Sequence, residues 1–296
     1  MTSIAQEVPL GRRMRRWEVL PYGLILPTVA YLALFFAWPM AQAFKLAFQD
    51  GGAWTIEPFR MMMNDANFGD AFRFTMLLVV VIVPLQFVLA LAMALLINSK
   101  LHGRGLFLAI FIMPLAISDL AAGLVWQSIL TERGYLNTLL EHVGFIDQPY
   151  IWLNPTKPNQ LLFAVVVAEI WRSTAFVMVI FLAGLQGIPH EYGEAAEVFG
   201  AGFFQRVRRV ILPMLKPSLQ VALLFRIIFA SEAFAVVLAI TGRAKTTLAT
   251  EAWKWQAEYF NSHVAAAYSA LILVLSLVSA GLVVWLLRTP KEQMLR

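Results

Sequence analysis

Apolar residues in this 296-residue chain are gathered into long runs, and the polar residues fall between the runs. Six stretches stand out: 19–38, 72–97, 106–130, 161–185, 218–240 and 264–287. About 20 consecutive apolar residues, rising 1.5 Å each as a helix, cross the hydrocarbon core of a bilayer. The pattern predicts an all-α membrane protein with six transmembrane helices. Several shorter features lie between the runs. Residues 49–70, with Gly51, Gly52, Pro58 and Asn64, read as a polar loop carrying a short surface helix. Residues 131–160 are rich in turn formers and leave room for a small helix near 136–142. Residues 241–263 read as a polar connector whose Trp253, Trp255, Tyr259 and Phe260 suit a membrane surface. Pro84 inside the second stretch predicts a kink, tolerated where neighbours satisfy the freed carbonyl. Ala266, Ala270, Ser276 and Ala280 give the sixth stretch a small-residue stripe for close packing.

Composition sharpens this reading. Hydrophobic residues make up 60% of the chain and charged residues only 14%, and the mean hydropathy is +0.71; soluble domains carry about 25% charge. The polar start, residues 1–18, ends in Arg12, Arg13, Arg15 and Arg16 directly before the first apolar run. A secretory signal begins the same way, but its apolar core is shorter and a cleavage site follows. Here Trp38-Pro39-Met40 and an amphipathic 41–48 follow, so the segment is expected to remain as the first span. The absence of cysteine excludes disulfides and thiolate chemistry, and four scattered histidines form no metal motif.

The net charge of +5 does not point to nucleic acid, because the basic residues sit between apolar spans. With the amino terminus inside, the cytoplasmic set is Arg12, Arg13, Arg15, Arg16, Lys100, Arg104, Arg206, Arg208, Arg209, Lys216, Arg288, Lys291 and Arg296. The opposite face holds Arg60, Arg133, Lys157, Arg243, Lys245 and Lys254. Thirteen against six predicts both termini, 1–18 and 289–296, in the cytoplasm together with the loop 188–217.

That loop is the most distinctive stretch. Glu194-Ala195-Ala196 favours a short helix, Gly200 and Gly202 permit a bend, and a basic turn then leads to Leu212-Pro213. These residues and their spacing resemble the EAA loop of membrane subunits of ATP-binding-cassette importers. Phe199 departs from the pattern, which often has Asp there. The chain as a whole, from Pro21 to Leu287, looks most like the first of two permeases in the binding-protein-dependent carbohydrate-uptake group of maltose and glycerol-phosphate type. The resemblance implies the type I importer permease fold in a bacterial cytoplasmic (inner) membrane. It implies as partners a second, homologous permease, two ATPase subunits, an extracytoplasmic solute-binding protein and membrane lipid. Glu194, Ala195, Ala196, Gly200, Leu212 and Pro213 would then couple the chain to the ATPases. The chain carries no G-x-x-x-x-G-K-[ST] phosphate loop, so ATP and Mg are expected on the ATPase partner, with no cofactor on this chain. No His-Glu-x-x-His or G-x-S-x-G element supports an enzyme.

Polar residues inside the spans mark the expected solute pathway, since an ionisable group at mid-bilayer costs at least about 2.5–3.5 kcal/mol unless it faces a wet or protein-lined interior. The candidates are Asp119, Trp126 and Gln127 in the third span, Glu169, Trp171, Arg172, Ser173 and Thr174 in the fourth, and Ser231 and Glu232 in the fifth, with Arg226 close by. Indoles can cover the C–H faces of a sugar while the remainder hydrogen-bond its hydroxyls. Glu169 and Arg172, three apart, can equally form an internal ion pair. Segment 223–226 also resembles the family, but Phe229, Ala235 and Gly242-Arg243-Ala244 replace the acidic residues and Gly-Gly-Pro that often follow. A self-contained ion-coupled carrier using Asp119, Glu169 and Glu232 is the rival reading, and a scaffold subunit of a membrane complex is a third.

Overall fold

A computed structural model describes residues 11–99 and 102–287. Helix α1 (Gly11–Leu32) passes through a single π-helical turn into α2 (Trp38–Ala47). Span Pro21–Ala47 therefore runs on past Trp38, where the apolar run appeared to end. Pro39 lies in the first turn of α2, where its missing N–H is tolerated. A hairpin of two short strands, β1 (Gln49–Asp50) and β2 (Ala53–Trp54), turns on Gly51 and Gly52. Both glycines have positive φ, as the tightest hairpin turns require. Helix α3 (Glu57–Asn64) follows, and then α4 (Phe68–Asn98) runs as one helix through Pro84.

The stretch 106–130, expected as one helix, is broken. Helix α5 (Arg104–Ile112) and a 3-10 turn (Met113–Ala116) end at Ile117 and Ser118, and α6 (Asp119–Leu130) begins anew, the two limbs bent by 102°. Ser118 causes the restart: its backbone is extended and its Oγ accepts the Ala121 N–H at 3.3 Å, capping α6. Helices α7 (Tyr135–Val143) and α8 (Pro158–Gln186) come next, then the short α9 (His190–Val198), α10 (Phe203–Arg206) and α11 (Leu212–Met214). The stretch 218–240 is also two helices, α12 (Lys216–Ser231) and α13 (Ala235–Thr241), parted at Glu232–Phe234. The connector after it contains α14 (Leu248–Ala257), and α15 (Ser262–Leu286) completes the described chain. Among the described residues four helices are long and apolar enough to cross a membrane, or up to six if each of two bent pairs, 104–116 with 119–143 and 203–214 with 216–231, is one span.

Three packed clusters hold these rods together. One joins α4, α6, α8 and α13 through Leu78, Ile82, Leu130, Val165, Ala168 and Val237. A second joins the α9 end of the bundle, where Ala90, Ala94, Met178, Phe181, Leu215 and Ala222 interlock α4, α8 and α12. The third lies at the opposite end, where Met62, Ala71, Leu248 and Tyr268 pack α3, α4, α14 and α15. Two of its edges are pinned by Asp65, which accepts from Trp255 Nε1 at 2.7 Å and Tyr268 Oη at 2.9 Å. Residues 241–263 are thus no loose connector: Glu251 is fully buried and paired with Lys254 at 2.8 Å. Two close helix crossings depend on glycine. A Cβ on Gly184 of α8 would overlap Ser218 of α12 and come 2.7 Å from Leu215 Cδ1. One on Gly123 of α6 would come 2.7 Å from Ala239 Cβ and 3.0 Å from Val236 Cα of α13.

Candidate functional site

Four helices contribute to one polar cluster in the middle of the bundle. Glu169 and Arg172 lie one turn apart on α8, Arg226 on α12, Gln86 on α4 and Asp119 at the start of α6. Glu169 Oε2 accepts from Arg226 Nη2 at 2.8 Å and from Ser173 Oγ at 3.2 Å. Its Oε1 lies 3.6 Å from Arg172 Nη2, while Arg172 Nη1 reaches Asp119 Oδ1 at 2.7 Å. Gln86 spans two helices: its Nε2 donates to the Glu169 carbonyl at 2.8 Å and its Oε1 accepts from Arg226 Nε. Arg226, Glu169 and Gln86 are all buried. A charge in so dry a place is tolerable only when paired and hydrogen-bonded, and here two guanidinium groups answer two carboxylates.

The cluster is dry at one end and open at the other. The Asp119 side chain is 57% exposed and that of Arg172 16%, against 4% and 2% for Glu169 and Arg226. Beside the open end Trp126 and Trp171 meet edge to face, centroids 6.1 Å apart. Trp126 Nε1 and Arg172 Nε are buried donors without an acceptor among the described residues. An acceptor-rich solute would satisfy both. Next to them Phe176 on α8 packs against Phe225 and Phe229 on α12 at 6.0 and 5.7 Å.

The candidate residues do not all converge. Asp119 heads a helix instead of lying midway along one, because the chain breaks just before it. Glu232 falls in the gap between α12 and α13 and is exposed. Ser231 returns its hydroxyl to the Ile227 carbonyl at 2.8 Å, and Thr174 to that of Ile170 at 2.5 Å; neither offers its proton to a solute. Gln127 is half-buried next to Trp126 on α6. Gln86, which joins the cluster, left only a faint trace in the sequence: an amide in an otherwise apolar run.

The second feature is the segment between α8 and α12. Helix α9 ends in a two-bond glycine cap: the Gly200 N–H reaches the Glu197 carbonyl and the Ala201 N–H that of Ala196, both at 2.9 Å. Gly200 sits at φ +77°, left-handed, which a residue with a Cβ resists. Arg206 pairs back to Glu197, which folds α10 against α9, and the Gly202 N–H donates to Gln205 Oε1 at 3.3 Å at the start of α10. Not one residue of α9 is buried. Glu194, Ala195, Gly200 and Pro213 are exposed, and Ala196 and Leu212 half-buried. Val198, Phe199 and Phe204 project to 86%, 90% and 84% exposure. Behind the segment lies a cleft of ≈ 270 Å³ lined by Leu95, Leu185, His190, Glu194, Glu197 and Phe203, among others.

Residues 86–291 match the family described as binding-protein-dependent transport system inner membrane component. The chain is 33% identical over 231 residues to the trehalose/maltose transport system permease protein MalF of Thermococcus litoralis, covering 75% of this chain and 77% of that one. It is 31% identical to the trehalose transport system permease protein SugA of Mycobacterium tuberculosis, over 83% of this chain and 82% of that one. Among solved structures, a chain of a bacterial ABC transporter involved in the import of the acidic polysaccharide alginate matches with a TM-score of 0.78. That likeness covers 94% of this chain and 98% of the other at 21% identity, and so concerns the fold. These matches set aside the self-contained carrier and the enzyme: the chain belongs to the inner membrane components of binding-protein-dependent transport systems, as a multi-pass permease subunit of an ABC importer with the type I fold.

Proposed function

We propose that this permease forms half of the pathway for an uncharged saccharide or polyol, and that α9 is the part of it that ATPase subunits move. In this reading a second, homologous permease supplies the other half, and two ATPase subunits bind ATP and Mg on the cytoplasmic side. An extracytoplasmic solute-binding protein delivers solute, and both termini and the Glu194 loop lie in the cytoplasm of a bacterium. The observation that carries the reading is the stand-off of α9: a helix with no buried residue, ending in Val198 and Phe199 in solvent. Exposed apolar residues in one contiguous place mark a binding surface, and small Ala195 and Ala196 let a partner backbone approach. Glu194, Ala195, Ala196, Gly200, Leu212 and Pro213 shape this lever.

The solute class follows from the cluster near the membrane centre. Arg172 and Arg226 are answered by Asp119 and Glu169, leaving no surplus positive charge for an anion. What remains is a pair of indoles and two buried donors without an acceptor among the described residues, groups suited to C–H faces and hydroxyl oxygens once the wall parts. Trp126, Gln127, Trp171 and Arg172 are its contact residues. In this scheme ATPase closure turns the cavity outward, the binding protein hands over its solute, and hydrolysis resets the cavity. The test is uptake by the complete importer in proteoliposomes, with labelled trehalose or maltose as neutral probes and glycerol 3-phosphate as the anionic one. Uptake of a neutral probe that requires ATP and the binding protein is expected; ATP-independent uptake, or uptake of the anion alone, contradicts the reading.

A further inference from the structure

Helices α8 and α12 lead into and out of the α9 segment, so any displacement of that segment must travel along them. They touch at two levels. At the α9 end Gly184 lets Ser218 and Leu215 press directly on α8. Roughly 20 Å further along α8, at 1.5 Å per residue, Glu169 meets Arg226 at 2.8 Å. Apolar contacts between the two levels are non-directional, and in a membrane they carry no hydrophobic penalty for sliding. The ion pair differs: if α12 slid along α8, Arg226 would be stranded in a dry interior and Glu169 would keep only Ser173 and its longer contact with Arg172. Gln86 strengthens the lock by holding the Glu169 carbonyl with one end of its amide and Arg226 with the other, which ties in α4. At its open end the same cluster reaches α6 only through the half-exposed contact of Arg172 with Asp119.

We infer that Glu169 and Arg226, braced by Gln86, are positioning residues that make α8 and α12 a single lever, delivering movement of the α9 segment to the wall formed by Trp171 and Arg172. The inference rests on the role of α9 proposed above. Without the pair the two helices pack but shear past each other, and part of each stroke is lost before it reaches the wall.

The chain has no cysteine, so Val179→Cys on α8 and Val221→Cys on α12, both on exposed positions, give one spin-label pair in an importer whose other subunits have been made cysteine-free. The distance is measured without nucleotide and after trapping with ADP and vanadate. With the pair intact it should stay a single, unshifted population in both states. In Glu169→Leu with Arg226→Met, a neutral replacement of the kind buried pairs often tolerate, the trapped state should gain a second, longer population. Binding protein should then no longer stimulate ATP hydrolysis. A shift in the intact pair, or no second population in the double variant, overturns the inference. Should the double variant not assemble, Glu169→Asp, which keeps the charge but shortens the reach, must broaden the trapped distance, and an unchanged distribution overturns the inference equally. Failure of the intact complex to trap nucleotide at all would instead strike the proposed function.

Discussion

The middle of the bundle and the α9 segment invert each other's chemistry. In the middle, Glu169 and Arg226 are buried and answered, whereas on α9 to α10 apolar side chains are exposed and nothing among the described residues covers them. The first arrangement is complete within one subunit and resists change. The second is incomplete, and in the function proposed above its other half lies on an ATPase subunit. A permease driven from outside needs both, a stiff interior to carry a motion and an unfinished surface to receive it.

Breaking the interior should cost most. Arg226→Ala removes the short partner of buried Glu169 and leaves the Gln86 side-chain Oε1 without its donor, and should destabilise the folded bundle by about 3–5 kcal/mol. A lower melting temperature in detergent and loss of the monodisperse peak in size exclusion would report it. Gly184→Leu comes next, since even a Cβ there collides with Ser218 and Leu215; about 1–3 kcal/mol of overpacking is expected, read by the same melting curve.

Breaking the surface should leave the fold alone. Gly200→Trp forces a bulky residue into a left-handed conformation at a cost of about 1–2 kcal/mol to the α9 cap, and Glu194→Lys reverses a charge on the exposed lever. Both variants should reach the membrane at normal levels yet fail to retain the ATPase on copurification, with uptake lost; normal uptake in both removes the docking role. Smallest is the effect at the open end of the cluster. Trp171→Ala should leave the complex assembled and raise the apparent KM for uptake about tenfold, roughly 1.4 kcal/mol of lost solute contact. Unchanged kinetics there would take the indole pair out of the pathway.

The contrast also explains what could be read from the sequence. The α9 segment was legible because its signals are local: a short helix with Glu194-Ala195-Ala196 and a glycine where a left-handed turn is needed; the basic stretch after it, read as a turn, is instead helical from 203 to 214 and passes through Pro213. The continuous rods α4, α8 and α15 were legible from hydropathy for the same reason. The breaks were not. Ser118 restarts a helix by capping α6, and Glu232 opens a gap before α13, yet both lie inside stretches that stay apolar enough to read as one span. Nor did the sequence reveal which partner each charge takes. Glu169 was within helical reach of Arg172, but its short contact is with Arg226, 57 positions away, and Gln86 enters from 83 positions before it. Pairings across helices depend on rotation and tilt, which apolar run lengths do not encode.

The account turns on where α9 lies and what it touches, and a cysteine-free chain makes that measurable. Ala195→Cys in the assembled importer should react with a membrane-impermeant maleimide only from the cytoplasmic face, and with a bifunctional reagent it should join to the ATPase in a yield that changes on adding ATP. Labelling from the outer face, or no ATPase in any cross-linked product, would contradict the account.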